Sequence, residues 1–222
     1  MHNDDKKSTG FEVTLPSQQR GTIVSNQGVT MSLKSGQAIH GNAVGGDIVY
    51  LLIDCSTSMA EENKLEHAKK GALDFAKQAR EKGYAIGLIK FAFEAEEVCA
   101  PLKDIARLAG HFETVHAMGN TNMAAALALA CEKLKNTIGN RVAVLVTDGE
   151  PTEGEPNPVD ATLREAARMR EYGIDIITIG TDDADEGFLR RIATRDDLAV
   201  MVERTQLERG VSSLVKMLPE PR

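Results

Sequence analysis

Five oxygen-bearing side chains, in three separated stretches, stand where they could hold a cation together. The run Ile48–Ile53 is apolar throughout and ends on Asp54, with Cys55, Ser56, Thr57 and Ser58 behind it. The run Val142–Val146 is apolar too and ends on Thr147, Asp148 and Gly149. Thr121 lies in Gly119-Asn120-Thr121-Asn122, just ahead of an apolar stretch. A carboxylate at the mouth of a buried strand needs a compensating charge or donor. Ser56 and Ser58 follow Asp54 at i+2 and i+4, so one tight loop can aim three oxygens the same way. Two carboxylates and three hydroxyls form an all-oxygen set that suits a hard ion, Mg²⁺ or Mn²⁺, with room left for an external carboxylate. No Cys or His joins them, which disfavours zinc and other softer-site metals. Any one of these residues alone reads as a helix cap or a strand end. Five together, on two strand ends and one helix start, point to metal-assisted recognition.

The elements that must position them follow from hydrophobic periodicity. From Asp47 onward strand and helix patterns alternate, the signature of an α/β sheet. Strands are expected at 47–53, 85–91, 96–100, 141–147, 174–179 and 198–202, the third pairing with the second as a hairpin. Helices are expected at 63–82, 102–112, 122–137, 159–172, from about 186 to 193, and 205–218. The first has Leu65, Ala68, Ala72, Phe75, Ala76 and Ala79 on one face and stops at Gly83. The third is apolar almost all round from Met123 to Cys131 and should be buried. In an open parallel sheet ligands bind outside the carboxyl ends of the strands, where Asp54 and Asp148 fall. If strands 47–53 and 141–147 are neighbours, Thr121 comes up beside them.

Residues 1–46 differ. Phe11–Leu15 and Val29–Leu33 alternate apolar and polar among Pro16 and six glycines from Gly21 to Gly46. They read as an N-terminal extension, a β-hairpin arm and Gly-rich linker without helix, ahead of a main domain at 47–218.

Composition narrows the function. The chain has 222 residues and is 42% hydrophobic, enough for one sizeable core. With six Phe, three Tyr and no Trp, that core is aliphatic, as helices on a parallel sheet require. Net charge is −7, with +1 on residues 1–46 and −8 on the remainder, which argues against a nucleic-acid backbone as partner. Cys55, Cys99 and Cys131 show no paired spacing, which reads as reduced thiols in a cytoplasmic protein. The charged start, His2 to Lys7, has no apolar stretch after it, so no secretory leader is expected. No run approaches the ~20 apolar residues of a membrane helix.

The motif Asp54-x-Ser56-x-Ser58, with Thr121 and then Asp148, resembles the von Willebrand factor type A (vWA) domain over about 46–218. These positions match, in order and spacing, the family's metal-ion-dependent adhesion site (MIDAS). The resemblance implies a bacterial-type intracellular protein with a Rossmann-like fold: a mostly parallel six-stranded sheet, one short antiparallel edge strand, and helices on both faces. It implies that Asp54, Ser56, Ser58 and Thr121 approach Mg²⁺ (or Mn²⁺) directly or through water, that Asp148 acts through water, and that an acidic side chain of a protein partner completes the sphere. Two further associations carried by the family are an adaptor role for a separate AAA+ ATPase and one in kinase or phosphatase signalling. Thr57 departs from the Gly that many members carry. Cys55 occupies the variable position and reads as a packed residue.

Other features weigh less. Glu150, Glu153 and Glu155 sit in a Pro-rich loop over 149–158 that reads either as a partner-selecting rim or as a solvated loop. Asp182, Asp183, Asp185 and Glu186 read as N-terminal charge for the next helix. The five histidines have no ligand spacing. No Gly-x-Ser-x-Gly elbow is present, and Gly28–Ser35 fails as a phosphate loop at Leu33, where Gly is needed. A metal-dependent hydrolase is the rival from another class; no well-placed general base accompanies the cation.

Overall fold

The computed structural model describes residues 46–182 and 184–220, together with the backbone of four short strands between Glu12 and His40. The chain divides into two compact units, Met1–Val44 and Gly45–Arg222. In the first, β1 (Glu12–Val13) pairs antiparallel with β4 (Ile39–His40), and β2 (Gly21–Val24) with β3 (Thr30–Leu33). Within the alternating stretches 11–15 and 29–33, the described strands are Glu12–Val13, paired with Ile39–His40, and Thr30–Leu33, paired with Gly21–Val24.

The second unit is an α/β sheet of six strands: β5 (Ile48–Asp54), β6 (Ala85–Phe91), β7 (Ala95–Leu102), β8 (Arg141–Thr147), β9 (Asp175–Gly180) and β10 (Ala199–Met201), in the order β10-β9-β8-β5-β6-β7. All neighbours are parallel except β6 and β7. Strand β7 runs eight residues, beyond the expected 96–100, because β6 goes on pairing with it across two register shifts, between Ile86 and Leu88 and between Leu88 and Ile89. It is half-exposed, as an edge strand is.

The central strands are continuous apolar runs because both of their faces are covered. Side chains alternate across β5: Val49, Leu51 and Ile53 join one core layer, Ile48, Tyr50 and Leu52 the other. The first layer is closed by α1 (Lys64–Glu81), α2 (Ile105–Phe112) and α6 (Leu207–Ser213), through Ala72, Phe75, Leu108 and Val211. The second is closed by α3 (Met123–Leu134), α4 (Pro158–Glu171) and α5 (Glu186–Ile192), through Leu127, Met169 and Leu189.

Caps and hydroxyls set the helix ends that periodicity misplaced. Asp104 accepts from the amides of Ala106 and Arg107, so α2 starts at 105. Asn157 accepts from Asp160 N–H, with Pro158 in the first turn of α4. The helix expected over 205–218 is instead a 3₁₀ turn, α6 and a second 3₁₀ turn. There the Ser213 hydroxyl donates to Gly210 O at 2.8 Å, competing with the helical ladder.

The Tyr50 ring lies across β6 with its hydroxyl donating to Glu97 Oε1 at 2.5 Å. It fits because residue 87 is Gly: a methyl there would stand 2.6 Å from Tyr50 Cδ1. Gly87→Ala is therefore expected to lose about 1–3 kcal/mol in urea or thermal unfolding; an unchanged midpoint would mean that the ring has space to swing aside. Among the described residues no helix is long and apolar enough to cross a membrane.

Candidate metal centre

The sheet order changes direction at β5: the chain passes through α1 to β6 on one side and returns to β8 on the other. The carboxyl ends of β5 and β8 thus form the crevice at the topological switch point. Asp54 ends β5, and Thr147-Asp148 closes β8 beside it.

Asp54 is fully buried. Its Oδ1 accepts from Ser56 N–H at 2.8 Å, folding the loop back over the strand end. Its Oδ2 accepts from the Thr147 hydroxyl at 2.6 Å, tying β5 to β8. Among the described residues no Lys, Arg or His pairs with it. Burial pushes its carboxyl up to about 6; hydrogen bonds from Thr147 and Ser56 oppose the rise, and neighbouring Asp148 adds to it.

The two serines extend the chain of oxygens. Ser56 Oγ and Ser58 Oγ lie 3.1 Å apart, and Ser58 Oγ donates to Asp148 Oδ1 at 2.9 Å. Asp148 is itself buried. Its Oδ2 has no aligned hydrogen bond, although the Lys64 ammonium stands 2.5 Å away as a charge contact.

Thr121 is brought to the same end by stitching between loops. Met118 N–H donates to Cys55 O at 2.6 Å, and Thr57 donates from both N–H and hydroxyl to Gly119 O at 3.0 Å. Thr57 therefore uses its side chain to fasten the neighbouring loop, a bond that Gly could not make. Asn122, not Thr121, caps α3 by accepting from Ala125 N–H. The hydroxyl of Thr121 makes no hydrogen bond among the described residues and remains available to a ligand.

The 149–158 loop is fastened to this assembly. Thr152 accepts from Thr121 N–H and, with Glu153, donates its own amide to Thr121 O, while Glu153 accepts from the Asn120 side chain. Asp185 caps α5 as expected, accepting from Phe188 N–H. Asp182 does not act as a cap: it pairs with Lys64 at 3.1 Å and with Arg204 at 3.5 Å, because the chain turns there in a left-handed conformation (φ 53°) towards α1.

Three residues of this centre escaped the sequence reading: Thr147, Lys64 and Asp182. Thr147 stood inside the quoted motif, and its place opposite Asp54 follows only from the β5–β8 register. Lys64, at a helix start, has no sequence signal that separates it from a solvated lysine. It is 4% exposed; burial pulls its pKa down, but Asp148 and Asp182 outweigh that and raise it, so it is a fixed ammonium.

Among the described residues no three His, Cys, Asp or Glu side chains cluster to hold a metal. A cation here would rest on Asp54 and Asp148 supplemented by hydroxyls. An uncompensated buried carboxylate and a buried oxygen without an aligned donor both fit such an ion. Cys55 stands outside this chemistry: it is buried, its thiol donates to Ile53 O at 3.4 Å, and burial pushes it up to about 12.

A parallel-centred sheet covered on both faces, with an acid-and-hydroxyl crevice at its switch point, defines a Rossmann-like binding domain. The family model of the von Willebrand factor type A domain matches residues 48–213, and the chain belongs to that family. Domains of this family are commonly protein-interaction modules. Solved structures share the fold at low identity. The vWF domain of the type V pili tip protein Mfa5 from Porphyromonas gingivalis is 16% identical, with a TM-score of 0.67, 79% of this chain and 96% of that one covered. The pilus adhesin SpaC from Lactobacillus rhamnosus GG gives 16%, 0.68, 79% and 31%. Proximal thread matrix protein 1 from the mussel byssus, with a zinc-occupied MIDAS motif, gives 18%, 0.65, 80% and 48%. The chain thus spans less than half of those last two. No curated protein is significantly similar to it in sequence.

Proposed function

We propose that this protein binds a partner protein through a divalent cation held by Asp54, Ser56, Ser58, Thr121 and Asp148, and that an acidic side chain of the partner completes the ion's coordination. The observation that carries this reading is Asp54: a fully buried carboxylate with no basic partner among the described residues, at the crevice where the fold presents ligands. Keeping it there is costly without a cation. Mg²⁺ suits the all-oxygen set best, with Mn²⁺ as its substitute; the zinc-occupied motif of the mussel protein makes zinc a competitor to include.

The surroundings support a protein ligand. Phe93 and Met118, two of three large apolar side chains exposed among the described residues, belong to the loops stitched around Thr121. Asn122 Nδ2 donates to Phe93 O at 3.1 Å, and Gly119 packs against Phe93. Glu150 and Glu155 stand exposed in the 149–158 loop. A partner would meet the ion between an apolar flank and an acidic one. Free, buried cysteines support a cytoplasmic setting, where an AAA+ ATPase or a signalling protein would be a separate chain.

Thr121→Ala tests the reading, since it removes a hydroxyl with no structural bond to lose. Retention of the partner in Mg²⁺ is expected to fall at least tenfold while the unfolding temperature stays at the wild-type value. Retention unchanged in that variant would contradict a metal-bridged mode. Turnover of phosphate esters, abolished by Asp54→Ala, would replace the binding role with hydrolysis.

A further inference from the structure

The one buried ammonium of the site is its least expected part. Lys64 opens α1 immediately after Glu62 and Asn63, both left-handed (φ 49° and 60°). This turn carries the lysine inward instead of to solvent. Its Nζ stands 2.5 Å from Asp148 Oδ2 and 3.1 Å from Asp182 Oδ2. The other oxygen of Asp148 already accepts from Ser58. Both sides of this carboxylate are therefore engaged, and Asp148 cannot swing onto an ion without leaving Lys64.

We propose that Lys64 is a built-in counter-cation that keeps Asp148 out of direct contact with the metal, so that Asp148 acts through water and the loaded site keeps a positive charge which only a partner's carboxylate neutralises. This rests on the metal-bridged reading and adds the residue that would make the site depend on its partner. Asp54, Asp148 and Asp182 with Lys64 and Arg204 carry a net −1, which a divalent cation turns into +1. Without Lys64 the same group carries −2 and the loaded site is neutral. Glu62 pairs with Arg204 on the outside of this group but is mostly solvated, so it is screened. The lysine thus weakens the protein's own hold on the ion and strengthens the ion's pull on an external acid.

Calorimetric titration of Mg²⁺ alone into the full chain tests this. Lys64→Met is expected to bind Mg²⁺ at least tenfold more tightly than wild type. Lys64→Arg, which keeps the charge, is expected to stay within threefold. Lys77→Met makes the same charge change on an exposed turn of α1, where Lys77 pairs with Asp74, and is expected to shift affinity less than twofold. Asp182→Asn leaves Lys64 wholly to Asp148 and is expected to weaken Mg²⁺ binding, an opposite sign that holds even if Lys64→Met folds poorly. Equal or weaker affinity in Lys64→Met, together with unchanged affinity in Asp182→Asn, would overturn the role of Lys64 while leaving the metal site standing. Absence of saturable Mg²⁺ binding in wild type and every variant would overturn the metal site itself, and this role with it.

Discussion

In EDTA at pH 7.5, Asp54→Asn is expected to be more stable than the wild type. Ionised Asp54 is sealed at the end of β5 without a basic partner among the described residues, and its carboxyl is raised to about 6 from an ordinary value of 3.8. Between those values the folded chain binds more protons than the unfolded one. Stability contributed by this group is therefore present below about pH 4, falls as pH rises through about 6, and stays lost above. At neutral pH the deficit is on the order of 2–3 kcal/mol. Asparagine carries no such deficit. Its amide can face Thr147, whose hydroxyl would accept from it and turn to Gly149 O, now 3.3 Å away. The variant should melt roughly 3–8 °C higher in EDTA, and the gap should shrink to about half at pH 5, where the unfolded chain's carboxylate is still ionised, and close below about pH 4. Scanning calorimetry at the two pH values checks this. A less stable variant at pH 7.5 would mean that the fold itself requires the anion.

The second large effect is the response of the wild type to metal. At a hundredfold excess over the dissociation constant, Mg²⁺ should stabilise the folded chain by about 2.7 kcal/mol. The ion and the proton compete for Asp54. Apparent affinity should hold steady above about pH 7 and drop roughly tenfold per pH unit below about 6. Asp54→Asn should show no comparable rise at any pH, so Mg²⁺ at this excess should all but erase the gap seen in EDTA. A rise in the melting temperature equal in both proteins would place the ion elsewhere.

The parts of this centre legible in the sequence are those that a strand pattern or a local spacing encodes. Strand β8 begins and ends at the expected 141 and 147, because a strand buried on both faces must be apolar until it leaves the sheet. Asp54, Ser56 and Ser58 share one loop, and their i, i+2, i+4 spacing survives folding as an unbroken chain of hydrogen bonds to Asp148. What escaped depends on register and on turns. Thr147 meets Asp54 only because β5 and β8 pair with Ile53 opposite Val146. Lys64 and Asp182 meet because two turns, at 62–63 and at 182, adopt left-handed backbone at residues other than glycine, which no composition rule announces. The end of the terminal helix tightens into a 3₁₀ turn at Leu214–Met217 for an equally local reason, the Ser213 hydroxyl donating to Gly210 O. In the N-terminal unit alternation marked Thr30–Leu33 but not its partner Gly21–Val24, whose glycine start hides the strand.

The most direct test of metal-bridged recognition is capture from the native host lysate on the immobilised full chain, run with Mg²⁺, with EDTA, and with Asp54→Asn in Mg²⁺. The asparagine variant is the right control because it is expected to be at least as stable as the wild type before metal is added, so a lost partner is not an unfolded bait. Retention of a partner by the wild type in Mg²⁺, its release by EDTA, and its absence from Asp54→Asn is the expected result. A partner retained equally under all three conditions would contradict it and move the binding surface away from the crevice between β5 and β8.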